Sequence, residues 1–245
     1  MNKQEINRET EESVQEGYDD SKEERKVVVP GETIVSGADY LPGEGAVREG
    51  EDIVAQKFGL IEHSGKLVKV IPLSGVFIPR RGNVVIGQVT DMTFNGWMTD
   101  INSPYQAFLP IMETPRFVNK NNLSEFLNIG ELFSSKIKSV KAKGVDLTLE
   151  GRGFGRLEGG MIVFVNPNKV PRIIGREGSM IKLINDESNC KITVGQNGLV
   201  WIKGDNIEDE LLAKKAILFT AEKSFIHGLT DKVKEFIEKE KGDKE

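Results

Sequence analysis

Ile173-Ile174-Gly175-Arg176-Glu177-Gly178-Ser179-Met180-Ile181 carries an apolar run into two glycines separated by two residues. A helical pattern of Met180, Ile181, Leu183 and Ile184 follows at once. Glycine has no Cβ, so the chain can turn tightly there and bring its backbone against a ligand. A helix N-terminus directly behind, with Ser179 as a candidate cap, offers unpaired N–H groups and partial positive charge to anions. Arg176 adds a full charge at the tip. The spacing predicts main-chain contact with phosphates, although two glycines so placed also mark ordinary turns.

The flanks narrow this reading. Residues 161–165 read as a buried strand ended by Asn166-Pro167-Asn168. Residues 191–194 and 199–202 read as strands joined by the turn Gly195-Gln196-Asn197-Gly198, and a long helix spans about 207–225. The order strand, helix, Gly-x-x-Gly, helix, strand, strand, helix resembles the KH module. In that module the loop clamps about four nucleotides of single-stranded nucleic acid. The resemblance implies RNA contact at Gly175, Arg176, Glu177 and Gly178. Residues 161–203 hold Lys169, Arg172, Arg176, Lys182, Lys191 and Lys203 against Glu177, Asp186 and Glu187, a net charge of +3. Lys169, Arg172 and Lys182 join the candidate contacts. Acidic Glu177 departs from the basic residues such loops commonly carry, so weak binding by this module alone is expected.

Charge elsewhere follows the same division. The 245-residue chain carries a formal charge of −5, and residues 1–25, with nine acids and four bases, account for all of it. That segment has almost nothing to bury and is predicted to be a disordered acidic tail. The rest is neutral overall, which suits a subunit that binds within an assembly. The single cysteine, Cys190, excludes an intrachain disulfide framework and a cysteine-based zinc site. No run approaches the ~18 consecutive apolar residues of a membrane span. A charged N-terminus unlike a signal peptide and a reducing environment point to the cytoplasm.

Residues 26–79 are short apolar runs broken by glycine, among them 33–35, 59–61, 67–71 and 76–79, and predict a small all-β domain. From 80 to about 150 five strands are predicted, at 83–92, 96–101, 106–109, 132–140 and 145–149. With the long connection before the fourth they resemble an OB-fold of the S-one RNA-binding type. The matching residues include Gly82-Asn83-Val84-Val85-Ile86-Gly87-Gln88-Val89, Phe94-Asn95-Gly96-Trp97 and Ala107-Phe108-Leu109-Pro110. Such barrels stack bases on exposed aromatics beside a basic groove. Phe94, Trp97 and Tyr105 are candidate platforms, with Lys136 and Lys138 as phosphate contacts. Phe94 and Trp97 read equally as barrel core, and Phe108 reads as core. S-one modules often carry a histidine where Pro110 stands, so that contact is not expected. Gly151-Arg152-Gly153-Phe154-Gly155-Arg156 reads as a flexible hinge, with Arg152 near the RNA. Residues 230–241 predict a last helix whose apolar stripe docks on the KH body or on a partner.

Catalysis finds no support. Only His63 and His227 exist, in no metal spacing, and there is no phosphate-binding P-loop and no Gly-x-Ser-x-Gly elbow. A β domain, an S-one barrel and one KH module in that order resemble the RNA-binding cap subunits of archaeal exosomes, over about residues 26–226. The resemblance implies a multidomain β and α+β fold: a tail over 1–25, an N-terminal β domain anchoring a ring over 26–79, the OB-fold over 80–152, and the KH domain with C-terminal helices over 153–245. It further implies a non-catalytic subunit without cofactor or metal. Three copies would sit on a hexameric ring of phosphorolytic ribonuclease subunits, alongside other cap subunits. They would feed single-stranded RNA, 3′ end first, into the ring for degradation and processing. The zinc-ribbon cap type is excluded by the single cysteine. Transcription elongation factors of related composition carry two KH modules, and polynucleotide phosphorylase has two large catalytic domains absent here. A structural adaptor that has lost RNA binding, or a free-standing elongation-type factor, remains the alternative.

Overall fold

The computed structural model describes residues 26–115, 118–119, 122–224 and 228–242. The predicted acidic tail and His227 lie outside them. The chain divides into two compact units at Pro72/Leu73.

The first unit contains strands β1 (Val27–Val28), β2 (Thr33–Ser36), β3 (Leu41–Pro42), β4 (Ala46–Glu49), β5 (Asp52–Ala55), β6 (Gly59–Ser64) and β7 (Leu67–Pro72). They form two sheets, in the orders β1-β6-β7-β3 and β2-β5-β4. Val28, Ile53, Ile61, Val68 and Val70 are buried between them. Across the first sheet Val27, Leu60 and Ile71 stand in one register row. Val27 and Ile71 remain exposed, as does Phe58 next to β6.

The second unit opens with a five-stranded closed barrel: β8 (Val84–Thr93), β9 (Gly96–Asp100), β10 (Ala107–Pro110), β11 (Leu132–Lys141) and β12 (Gly144–Thr148). The order is β12-β10-β9-β8-β11, closed by pairing of β11 with β12, while β10 and β12 run parallel. The long β8 serves both β11 and β9, with a register shift between Val89 and Asp91 where it passes from one to the other. Such irregularities bend a strand as barrel closure requires. Val85, Val89, Trp97, Ile101, Leu109, Phe133, Ile137 and Leu147 fill the interior by strand alternation.

Two segments depart from expectation. Residues 76–79, predicted as part of the first β domain's apolar pattern, form no strand, and Phe77 instead packs into the barrel core. The glycine-rich stretch at 151–156, predicted as a hinge, leads into strand β13 (Gly155–Leu157), paired with β11 through Leu132↔Leu157 and Phe133↔Arg156. The Ser134 hydroxyl donates to the Gly153 carbonyl at 3.1 Å. With its backbone engaged in a sheet, this connection is held.

The KH region follows: β14 (Met161–Phe164), α1 (Val170–Ile174), α2 (Ser179–Ser188), β15 (Lys191–Val194), β16 (Leu199–Lys203) and α3 (Ile207–Glu222). Its antiparallel sheet has the order β14-β16-β15. Val163, Ile173, Ile184, Val200, Ile202, Leu212, Ala216 and Ile217 make a core between sheet and helices. The last helix, α4 (Leu229–Gly242), docks on this body: Val233 and Ile237 enter the core, and the Phe236 ring stacks on Phe219 with centroids 4.4 Å apart. Lys241–Glu187 at 2.8 Å and Lys215–Glu240 at 2.5 Å pin it at the rim.

Barrel and KH region are joined through the Gly195–Gly198 turn. Asn197 is fully buried; its amide donates to the carbonyls of Ile86 and Ile101, both at 2.8 Å, and its side-chain oxygen accepts from Ile86 N–H. Gln196 and Val84 exchange two hydrogen bonds of 2.8 Å. The turn thereby satisfies the stretch of β8 that β9 leaves unpaired, an edge that would otherwise expose its N–H and C=O groups. Ile86, Leu199 and Trp201 bury the apolar part of the joint.

Candidate nucleic-acid interface

The glycine loop owes its shape to its first residue. Gly175 has φ +75° and ψ 176°, and a Cβ there would lie 2.7 Å from both the N and Cβ of Met180. No side chain fits without moving the start of α2. Arg176–Gly178 makes a single 3₁₀ turn, closed by Gly178 N–H donating to Gly175 C=O at 3.3 Å. Glu177 sits at φ +52°, a left-handed conformation that costs a side-chain-bearing residue about 1 kcal/mol. Arg176 and Glu177 are exposed at the tip. The helix α2 begins directly after the loop with no side-chain cap, so Ser179 is not the cap the sequence suggested; Gly178 occupies that position. The first N–H groups of α2 therefore remain open to an anion.

Arg172 lies on α1 just before the loop and Lys182 on the first turn of α2 just after it, both exposed; Lys169 stands half-buried ahead of α1. Among the described residues none of Lys169, Arg172, Arg176 and Lys182 has a carboxylate partner. The structure thus gathers Arg172, Arg176 and Lys182 on one loop and its two flanking helices, with Lys169 just ahead of the first of them.

The barrel candidates separate. Trp97 is fully buried, its indole N–H donating to the Leu127 carbonyl at 2.8 Å and its ring packing on Phe126 at 5.5 Å. It belongs to the barrel core and is removed from the stacking candidates. Phe94, in the same hairpin, is 79% exposed. The pairing of Met92 with Trp97 puts Trp97 back on the inward-facing strand after the turn that leaves Phe94 outside. Tyr105 is exposed at the other end of β9, so Phe94 and Tyr105 do not share one platform. Phe108, expected in the core, is half-buried on the outer face of β10, where Ala107 and Leu109 take the inner positions.

Lys138 ion-pairs with Glu113, and the hydrogen bond between them raises its pKa. Partial burial opposes ionisation of Glu113, but hydrogen bonds with Lys138 and Thr148 hold its carboxyl below the usual range. Asp146 behaves alike: burial works against its charge, and Lys141 and Ser139 outweigh it. Lys136 and Arg152 are exposed without a carboxylate partner among the described residues. Cys190 is buried, and that burial pushes its thiol up.

Two features escaped the sequence reading. Met112, 93% exposed, follows Ile111, whose N–H bonds the Asn95 carbonyl at 2.9 Å, so it shares an end of the barrel with Phe94. The turn Gly195-Gln196-Asn197-Gly198 joins two modules as well as two strands. Gln and Asn are ordinary turn residues, and nothing in their local pattern announces a partner 110 residues upstream. Among the described residues no three His, Cys, Asp or Glu side chains converge on a metal-sized site, and no helix is long and apolar enough to cross a membrane.

Comparison with known proteins converges on the same region. The KH domain family model matches residues 160–219. The exosome complex component Rrp4 of Methanothermus fervidus is 44% identical over 215 residues, covering 87% of this chain and 96% of that protein. The chain belongs to the Rrp4 family of exosome components. The Thermococcus kodakarensis Rrp4 is 41% identical over 219 residues, covering 87% and 85% of the two chains. A crystal structure provisionally described as an exosome complex RNA-binding protein matches with a TM-score of 0.63 and 34% identity, over 70% of this chain and all of that one. Within the Rrp4 family the chain's role is that of a non-catalytic component.

Proposed function

We propose that the chain is the RNA-binding cap subunit of an archaeal-type exosome. Three copies sit on a hexameric ring of phosphorolytic ribonuclease subunits and guide single-stranded RNA, 3′ end first, into the ring for degradation and processing, in the cytoplasm. The observation that carries this reading is the glycine loop at 175–178. There a backbone conformation that leaves N–H groups open lies beside cations that have no carboxylate partner among the described residues. Phosphate contact by such groups supplies affinity without sequence preference. The contacting residues are Gly175, Arg176 and Gly178 with Lys169, Arg172 and Lys182, while Glu177 limits the attraction. Phe94 and Tyr105 offer stacking surfaces on the barrel, with Lys136 and Arg152 as further cations. Repetition on a trimer raises the avidity of modules that are individually weak.

The N-terminal β domain anchors the subunit on the ring. The exposed apolar side chains Val27, Phe58 and Ile71 support this, since apolar groups left at the surface of a small domain are available to a partner.

The test is size-exclusion chromatography of the chain with the phosphorolytic ring, followed by RNA affinity of the ring with and without it. Co-elution with a salt-sensitive gain in affinity is the expected result. Co-elution without gain would make the chain an adaptor. RNA binding without co-elution would make it a free-standing RNA-binding factor.

A further inference from the structure

The turn that follows β15 in the KH region is bonded to the barrel strand β8. From the glycine loop α2 runs away for ten residues, about 15 Å. The four-residue β15 then returns alongside it for about 13 Å. These near-equal lengths bring the turn at 195–198 back toward the loop's side of the module. That turn is buried against the barrel through Gln196 and Asn197. The surface met next is the start of β8 and the residues before it.

Those residues form a fixed cationic corner. Arg80 N–H donates to the Asn83 side chain at 2.9 Å, Asn83 N–H donates back to Arg80 C=O at 3.1 Å, and Gly82 N–H donates to Ile137 C=O at 2.8 Å. Arg81 thus projects from a turn closed on itself and tied to β11. Lys136 pairs with Val84 across the strands, and its Cε lies 4.0 Å from where a Cβ on Gly82 would stand. Arg81 and Lys136 are exposed and have no carboxylate partner among the described residues, whereas Lys138, Lys141 and Arg156 are all ion-paired.

We propose that Arg81 and Lys136 form a second phosphate contact continuing the groove that begins at the glycine loop, so that barrel and KH module hold one uninterrupted single strand of RNA. This rests on the RNA-binding reading. It assigns the buried turn a consequence beyond joining two modules: it places barrel cations where the strand leaves the KH groove.

The experiment uses the full chain and fluorescent homopolymeric RNAs of four and of about ten nucleotides, lengths bracketing one KH site and a longer path. The R81E/K136E variant is compared with R176D/E177D and with K232E/K239E on α4, which changes net charge as much as the first but lies elsewhere. Unchanged thermal midpoints confirm that each variant is folded. For R81E/K136E we expect binding of the longer RNA about tenfold weaker, a log–log salt slope reduced by about 2, and no change for the four-nucleotide RNA. Equal loss on both lengths, or loss matched by K232E/K239E, would overturn the proposal by showing general charge attraction. No loss, with R176D/E177D still weakening both RNAs, would overturn it and leave the RNA-binding reading standing. Wild-type chain that binds neither RNA would overturn both.

Discussion

Three cations of the barrel and four around the KH loop are used in opposite ways. On the barrel Lys138, Lys141 and Arg156 lie against Glu113, Asp146 and Glu131, tying the strands and connections that carry them. Around the glycine loop Lys169, Arg172, Arg176 and Lys182 have no such partners among the described residues. Exposed ion pairs contribute little to stability, so leaving four cations unpaired costs the fold almost nothing. The pattern therefore speaks of use. At Lys138, Lys141 and Arg156 charge holds elements together, while at the loop charge is kept for a polyanion, the use proposed also for Arg81 and Lys136. The KH region repeats the contrast internally, since Lys215 and Lys241, far from the loop in sequence, are spent on α4.

The largest expected effect tests whether the barrel's aromatics divide as the cations do. Trp97→Ala removes a fully buried ring and orphans the Leu127 carbonyl, and should cost about 3–5 kcal/mol in urea unfolding. Phe94→Ala, in the same hairpin, should leave unfolding within about 0.5 kcal/mol and instead weaken RNA binding. Equal destabilisation by the two would show that Phe94 is structural as well.

The loop comes next. R176D/E177D places like charge beside phosphate without touching the core, so the salt slope of RNA binding should fall by about 1 with an unchanged thermal midpoint. Undiminished affinity would mean that the loop is not the clamp. Glu177→Gly should act in the opposite direction. It removes a negative charge and relieves a left-handed backbone, so RNA binds more tightly and stability rises by up to about 1 kcal/mol. Weaker binding by this variant would assign Glu177 a direct contact.

What could be read from sequence follows from the range of the interactions. The glycine loop and its strand–helix order were legible because backbone conformation and hydrophobic period are local. The five barrel strands were legible for the same reason, to within a residue or two. Trp97 and Phe108 were not, because which side of a strand faces inward depends on register after a turn. At Phe94–Trp97 that register is set by pairing of β9 with β8 and β10. The 151–156 segment read as a hinge because its glycines hide the start of a strand paired with β11 and a Phe154 ring packed on the barrel core. Asn197 was the least legible: its three hydrogen bonds reach residues about 100 positions away.

The smallest expected effect concerns the barrel's paired charges. Glu113 and Asp146 have carboxyl pKa values below their ordinary 4.5 and 3.8, with burial opposing and hydrogen bonds from Lys138, Thr148, Lys141 and Ser139 prevailing. A carboxylate whose pKa is lowered by folding contributes stability above its unfolded value. That contribution is lost as pH falls through the lowered, folded value. The double variant K138M/K141M keeps the aliphatic stems and removes the partners. Its thermal midpoint should lie slightly below wild type at neutral pH, and the gap should close as pH drops beneath 3.8. A matched R172M/K182M variant at the loop, where neither cation has a carboxylate partner among the described residues, should show no such pH-dependent gap. If it did, the loop's cations would be engaged within the fold, and the contrast between the two regions would fail.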